Sequence, residues 1–581
     1  MTDSPAGAPN APLITNRNDS GSFKTTEGTL YVSKPYRSKT SKKLRALITF
    51  TPRKSHFDIS NESSGTNEFR GFFSLFWISI FIFTVREYVR GIESNGRPLN
   101  LGFATMFSQD LVVLALSDAV LVLSTSLCIP FAIALQKRWI RYYWTGLIIQ
   151  HIFQTSVLIA AITWTFNRKW PWVQSGFLTL HSLVLIMKIH SYMTVNGQLQ
   201  YVSIQSEQVL EVLRKETQSV GGWEQSIQDA KANRAALDAA EKSNSSHNSS
   251  PSDTPGTPPV PAGSTTSYTD TATAHALRHR LKNVAQATGG DIVVADVPAE
   301  DSVKDRTKGT PFKPHPLTYH PEERVAEVAR DYSDLQSELT SPGPLFVTWP
   351  NNVTVKNFAV YMLIPTLVYE LEYPRTDRIR PIYVLEKTVA TFGTFALLYS
   401  VTETFILPYT PKFDQSILRS LLDLALPFMI AYLLLFFIIF ECICNGFAEL
   451  SYFADRQFYE DWYEHNLNPL GIHKLIKTFL QPVHTFLLRH VYAPTILGYG
   501  LSRTWAMFLT FLLSASVHEL VMVIVTKKFR FYLFVLQIVQ IPMIVISRIP
   551  IVKRNKLLGN IVFWLGLYAG FPLLCVAYVA Y

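Results

Sequence analysis

Apolar runs recur along this chain at 69–88, 111–135, 142–164, 172–193, 384–407, 417–442, 505–525, 529–546 and 557–580. A helix crossing the hydrocarbon core of a bilayer needs about 20 such residues, which these runs approach or exceed. In lipid, every backbone N–H and C=O must be satisfied within the segment, so each run is expected to be a helix. The expected fold is an all-α polytopic membrane protein with about nine transmembrane helices.

Composition agrees. Only 17% of the residues are charged, against about 25% in a soluble domain. The net charge is +9. Lys and Arg beside anionic lipid account for that charge, and no basic stripe carries a nucleic-acid reading motif, so no nucleic-acid partner is expected. The four cysteines, Cys128, Cys442, Cys444 and Cys575, lie in or beside apolar runs. None forms a CxxC pair, so neither a disulfide framework nor a zinc site is implied, and no metal is expected.

The runs divide the chain into four parts. Residues 1–67 read as a disordered cytosolic tail without the apolar core of a signal peptide. Residues 68–195 hold helices 1–4. Residues 196–350 read as a polar, largely disordered cytosolic loop, helical in spacing over 206–242 and rich in Ser, Thr and Pro after that. Residues 351–581 hold helices 5–9, with 355–369 an interfacial helix. Lys137, Arg138 and Arg141, and Lys553, Arg554 and Lys556, favour a cytosolic N-terminus. Lys527, Lys528 and Arg530 break that bias, and Arg168 and Lys169 break it more mildly. The sequons at Asn244, Asn248 and Asn352 would then be cytosolic and unglycosylated.

His518 is an ionisable group inside the run 505–525. Such a group at membrane depth is costly, which marks it as functional. Burial is expected to keep the imidazole neutral and able to accept a proton. A lipid alcohol becomes a useful nucleophile when a base removes its proton, and a base in the bilayer meets that alcohol where it dissolves. The alternative is a histidine that only packs helices. Glu519 follows directly and is turned about 100° away on a helix, which suits a structural partner. The sequence HELVM lacks the second histidine of HExxH, and neither a GxSxG elbow nor a GxxxxGK loop is present. His465, His473, His484 and His490 lack ligand spacing, and His190 closes the fourth run beside Lys188, Ser191, Tyr192 and Asn196. The cluster Phe458-Tyr459-Glu460-Asp461-Trp462-Tyr463 reads as an aromatic belt or, through Asp461, as a partner for a nucleotide head group. Arg489, Lys474 and Lys477 nearby suit phosphates.

The motifs FADRQFYEDW, PVHTFLLRHVY, SASVHEL, KKFRFYLF and GNIVFWLG follow one another in this order, preceded by HSYMTVNG and PTLVYELEYPRT. In this the chain resembles the fungal sterol O-acyltransferases of the membrane-bound O-acyltransferase superfamily, in the branch that also holds diacylglycerol acyltransferases. The resemblance covers about 69–197 and 349–581. It implies helices around an intramembrane reaction tunnel in the endoplasmic reticulum membrane. Acyl-CoA would enter as a co-substrate and a sterol from the bilayer, with no cofactor. It implies His518 as the catalytic base, and Phe458, Tyr459, Asp461 and Trp462 at the acyl-CoA site. Gln540 would line the chamber, and dimers or higher homo-oligomers would form. Where the family motif FYxDWWN continues with Trp and Asn, this chain has Tyr463 and Glu464. Asn466 or Asn468 would have to supply the supporting amide, since loss of one preorganised donor costs about a hundredfold in rate. Diacylglycerol as acceptor, and a weakly active or non-catalytic lipid-binding homologue, are the alternative readings.

Overall fold

A computed structural model of the protein describes residues 14–17, 22–25, 28–31, 50, 52–55, 58, 70–97, 102–245, 314–341, 345–411, 416–459, 481–547 and 556–580. Its contacts form two units. One comprises 1–52, 195–354 and 370–374, and the other 53–194, 355–369 and 375–581.

Six helices are long and apolar enough to cross a membrane among the described residues: α1 Leu111–Gln136, α2 Tyr142–Asn167, α3 Trp172–Ser219, α4 Pro381–Tyr409, α5 Ile417–Leu450 and α6 Arg503–Thr526. The remaining apolar runs are helical as well, as Arg70–Asn95, α7 Tyr532–Ser547 and α8 Lys556–Ala580. They fall outside the six. Helix α7 has only 16 residues, fewer than the ~20 of an untilted span.

The second unit is built on these helices. Helix α5 packs on α8, and α6 packs on α7. Their outward apolar side chains, such as Leu116 and Val120 on α1, Ile152 on α2 and Leu422 on α5, stay exposed in the isolated chain. On a membrane helix that face belongs to lipid. Several helices change pitch locally, among them α1 and α5. Helix α1 tightens to a 3₁₀ turn at Thr125–Leu127, just before Pro130, where the proline ring excludes the carbonyl four residues back. Helix α5 widens to a π turn at Phe437–Ile443, which carries Glu441. Such turns are frequent at functional sites.

Polar groups staple the helix ends. Trp170, fully buried, donates its indole N–H to Asp110 at 3.1 Å, and the Gln174 amide donates to the carbonyls of Met106 and Gln109 at 2.6 and 3.0 Å. Lys188 donates to the carbonyls of Ile364 and Thr366 at 2.7 and 3.1 Å. Tyr361 donates to the Lys188 carbonyl at 3.1 Å. The motifs around residues 190 and 365 are thus neighbours in space, cemented by the packed rings of Tyr192, Phe358, Tyr361 and Tyr369.

The first unit contains a small antiparallel meander, Ile14–Arg17, Ser22–Thr25 and Gly28–Tyr31, within the stretch expected to be a disordered tail. It also contains the end of α3, the helices Trp223–Ser245 and Glu323–Glu338, and the 3₁₀ turn Pro316–Tyr319. Leu213, Ala230, Leu317, Val325 and Ala329 form their common core. The flanks of the loop expected to be largely disordered are therefore folded. Their few apolar residues recur at helical spacing and close on one another. The Ser/Pro-rich middle of that loop lies outside the described residues.

Candidate active site

Helix α6 begins at Ser502, whose hydroxyl accepts from the Trp505 N–H at 3.4 Å, and ends at Lys527 in the left-handed conformation (φ 55°). His518 sits between these caps. Its Nδ1 lies 2.7 Å from the carbonyl oxygen of Ser514, one turn back, and 3.4 Å from the Ser514 hydroxyl. A carbonyl only accepts, so Nδ1 carries the hydrogen, which in the uncharged tautomer leaves the lone pair on Nε2. The backbone of its own helix sets the tautomer. No side chain is needed for that, although two extend the network. Gln537 of α7 donates to the Ser514 hydroxyl at 3.4 Å, and Gln540 donates to Gln537 at 2.6 Å. Gln540 thus joins His518 through Gln537 and Ser514. Gln537 was not singled out from the sequence. Its signal was the pair of glutamines three residues apart in an otherwise apolar run, which shares one helix face.

Burial was expected at His518, but the ring is exposed in the isolated chain and the adjacent Glu519 is buried. The helix turn between consecutive residues separates the two environments. Glu519 accepts from the backbone N–H groups of Phe531 and Phe534 at 2.8 and 3.2 Å, and from the Tyr578 hydroxyl at 2.8 Å. It ties α6 to the start of α7 and to α8. The basic cluster that broke the charge bias is engaged in the same corner. Arg530 caps the last carbonyls of α8, Ala577 and Tyr578, at 3.1 and 2.9 Å, and Lys527 donates to the Trp170 carbonyl at 3.3 Å.

Phe458 and Tyr459 are buried, not set in an interfacial belt. Phe458 stacks on Phe453, and Tyr459 meets the Phe436 ring edge-on at 5.3 Å. The Tyr459 hydroxyl donates to Glu441 at 2.8 Å. Asp461, Trp462, Asn466 and Asn468 lie outside the described residues, as do Tyr463, Glu464, His465, His473, Lys474 and Lys477. Arg489 is buried, with the rest of the π turn Leu488–Tyr492 packed on α6.

The polar junction at His190 and Ser191, read from the sequence, meets His490 and Gln150, a meeting that the sequence did not show. His490 shares a 2.8 Å hydrogen bond with Ser191, whose hydroxyl accepts from the Tyr369 N–H at 2.8 Å. The His490 ring meets His190 edge-on, and Gln150 bonds His190 and Thr194 at 3.0 and 3.1 Å. Asp118 and His181, 2.5 Å apart, join α1 to α3 inside two apolar runs. Both are ionisable residues at membrane depth that the apolar average concealed. Among the described residues, no three His, Cys, Asp or Glu side chains come together as metal ligands.

The model of the membrane-bound O-acyltransferase family matches residues 118–580. The chain belongs to that family. This membrane-bound O-acyltransferase is 30% identical to the probable sterol O-acyltransferase 1 of Schizosaccharomyces pombe, over 92% of this chain and 86% of that protein. It is 29% identical to the sterol O-acyltransferase 2 of Candida albicans, over 92% of this chain and 78% of the relative. The diacylglycerol O-acyltransferase 1 of Dictyostelium discoideum is 31% identical, but over only 40% of this chain and 37% of its own. The chain is accordingly an acyltransferase and a multi-pass membrane protein.

Proposed function

We propose that this enzyme transfers a long-chain acyl group from CoA to the 3-hydroxyl of a membrane sterol, releasing a steryl ester and free CoA. The observation that carries the acceptor is the near full-length similarity to the two fungal sterol enzymes, against a partial match to a diacylglycerol enzyme. The partial match keeps diacylglycerol as the second reading.

The geometry at His518 supports the chemistry. With Nδ1 committed to the Ser514 carbonyl, Nε2 removes the proton of the sterol hydroxyl as the oxygen attacks the thioester carbonyl. Collapse of the tetrahedral intermediate breaks the C–S bond, and the imidazolium returns its proton to the departing thiolate. Gln540, with Asn466 or Asn468, would supply donors to the oxyanion. Phe458, Tyr459, Asp461 and Trp462 would form the acyl-CoA site. A thioester is already activated, so the step requires neither metal nor cofactor. In this reading nine helices span the endoplasmic reticulum membrane around a tunnel, and the enzyme works as a homo-oligomer.

The acceptor is tested in microsomes from cells that make neither steryl ester nor triacylglycerol of their own. Offered labelled oleoyl-CoA with ergosterol or diacylglycerol, the protein is expected to form steryl ester. Triacylglycerol alone would transfer the assignment to the second reading. A well-expressed protein that makes neither would refute the enzymatic proposal.

A further inference from the structure

Glu441 is 1% exposed, in the π turn of α5. A buried carboxylate in a membrane helix carries a large desolvation cost, and one opposite charge is the least that offsets it. Lys387 of α4 supplies that charge at 2.7 Å. Three further donors converge on the other carboxylate oxygen: the Ser55 hydroxyl at 2.6 Å, the Tyr459 hydroxyl at 2.8 Å and the Asn445 amide at 3.2 Å. Asn445 lies one helical turn along from Glu441, Tyr459 18 positions on, and Ser55 386 positions back. These three satisfy the lone pairs that the ion pair leaves on the second oxygen, and the bond to Tyr459 has a consequence beyond that. The carboxylate fixes where Tyr459 stands.

The chain just before Tyr459 is held as firmly. Arg53 pairs with Asp455 at 2.7 and 3.0 Å, and the backbones of residues 53 and 454–456 bridge in parallel. Glu449, fully buried, pairs with Arg456 and with Arg380 at 3.1 Å, and Arg380 reaches Asp58 at 2.9 Å. Residues 53–55 and Asp58 therefore strap this stretch, with Ser55 seated on Glu441. Phe458 and Tyr459 of the aromatic-acidic segment are thus anchored beside this clamp.

We infer that Glu441 is a positioning residue for the acyl donor: with Ser55 and Lys387 it sets Tyr459, beside Phe458 in the same segment, against acyl-CoA. This rests on the reading of that segment as the acyl-CoA site. It assigns Glu441 no contact with substrate. A purely structural ion pair would lower stability without favouring one substrate over the other. A positioning residue would weaken the acyl donor selectively.

The test uses the full-length protein in lipid nanodiscs: wild type, Tyr459→Phe, Ser55→Ala, and the charge-neutral double variant Lys387→Met/Glu441→Gln. Tyr459→Phe keeps the ring and removes one hydrogen bond, so it stays informative if the double variant fails to fold. Binding of a non-hydrolysable thioether analogue of oleoyl-CoA is measured first, then KM for oleoyl-CoA and for ergosterol, kcat, and the thermal midpoint. Tyr459→Phe and Ser55→Ala are expected to weaken analogue binding and raise the oleoyl-CoA KM about five- to tenfold, the effect of one charge-assisted hydrogen bond. For Ser55→Ala, whose side chain belongs to no substrate site, the ergosterol KM and kcat should stay within about twofold. Equal effects on both substrates, or a lowered thermal midpoint with unchanged analogue binding, would overturn the inference. Analogue binding needs no acceptor, so a wild type that binds the analogue but esterifies no sterol sinks the acceptor assignment alone. A wild type that does not bind the analogue sinks both.

Discussion

At the scale of single residues, consecutive positions on α6 do opposite work. His518 is exposed and held by one backbone bond, while Glu519 is buried and accepts three. The Ser514 hydroxyl is secondary to its carbonyl in orienting the ring, so Ser514→Ala is expected to lower kcat by less than about tenfold. Steady-state rates at matched protein levels check this. Glu519→Ala leaves two N–H groups and the Tyr578 hydroxyl without their acceptor. It should cost about 2–4 kcal/mol, read as a lower thermal midpoint in detergent. The histidine was legible in the sequence because it and Glu519 are the ionisable residues of an otherwise largely apolar run, 505–525. Its tautomer was not, since that depends on where one carbonyl lies. Gln537 was overlooked because an amide carries no charge, and Asp118 and His181 because each is averaged into its own run.

At the scale of elements, helices were legible from the length of the apolar runs, and their irregularities were not. The π turn that brings Glu441 inward opens on an unremarkable apolar stretch, Phe437–Phe440, and the lysine that pairs with Glu441 sits on another helix. The helical spacing of 206–242 pointed to a helix, but its packing partner, Glu323–Glu338, lies far along the chain. Leu317 is fully buried between them. Leu317→Ala is expected to cost about 2–5 kcal/mol locally through the cavity it leaves. Limited proteolysis should then cut the first unit faster, while cleavage in α4–α6 stays unchanged.

At the scale of the whole molecule, the strap shows where sequence reading stops. Arg53 and Asp455 are separated by 402 positions, and nothing local to a polar tail announces such a pairing. Removing residues 1–49 should leave the membrane unit folded, whereas removing 1–58 should expose the Glu441 and Glu449 pairs and yield aggregated protein on size exclusion. The same scale settles one sequon. Asn352 is 1% exposed and its amide donates to Asn196 at 2.9 Å, so it has no room for a glycan. Glycosidase treatment should leave Asn352 unshifted whichever side of the membrane it faces.

The central claim is that His518 is the base in acyl transfer to a sterol. Its most direct measurement is the rate of steryl ester formation from labelled oleoyl-CoA and ergosterol by purified wild type, His518→Ala and His518→Gln at equal loading. Both variants are expected to lose at least about a hundredfold in kcat while still binding the thioether analogue. A variant lacking the imidazole that forms steryl ester at a rate near wild type would contradict the account.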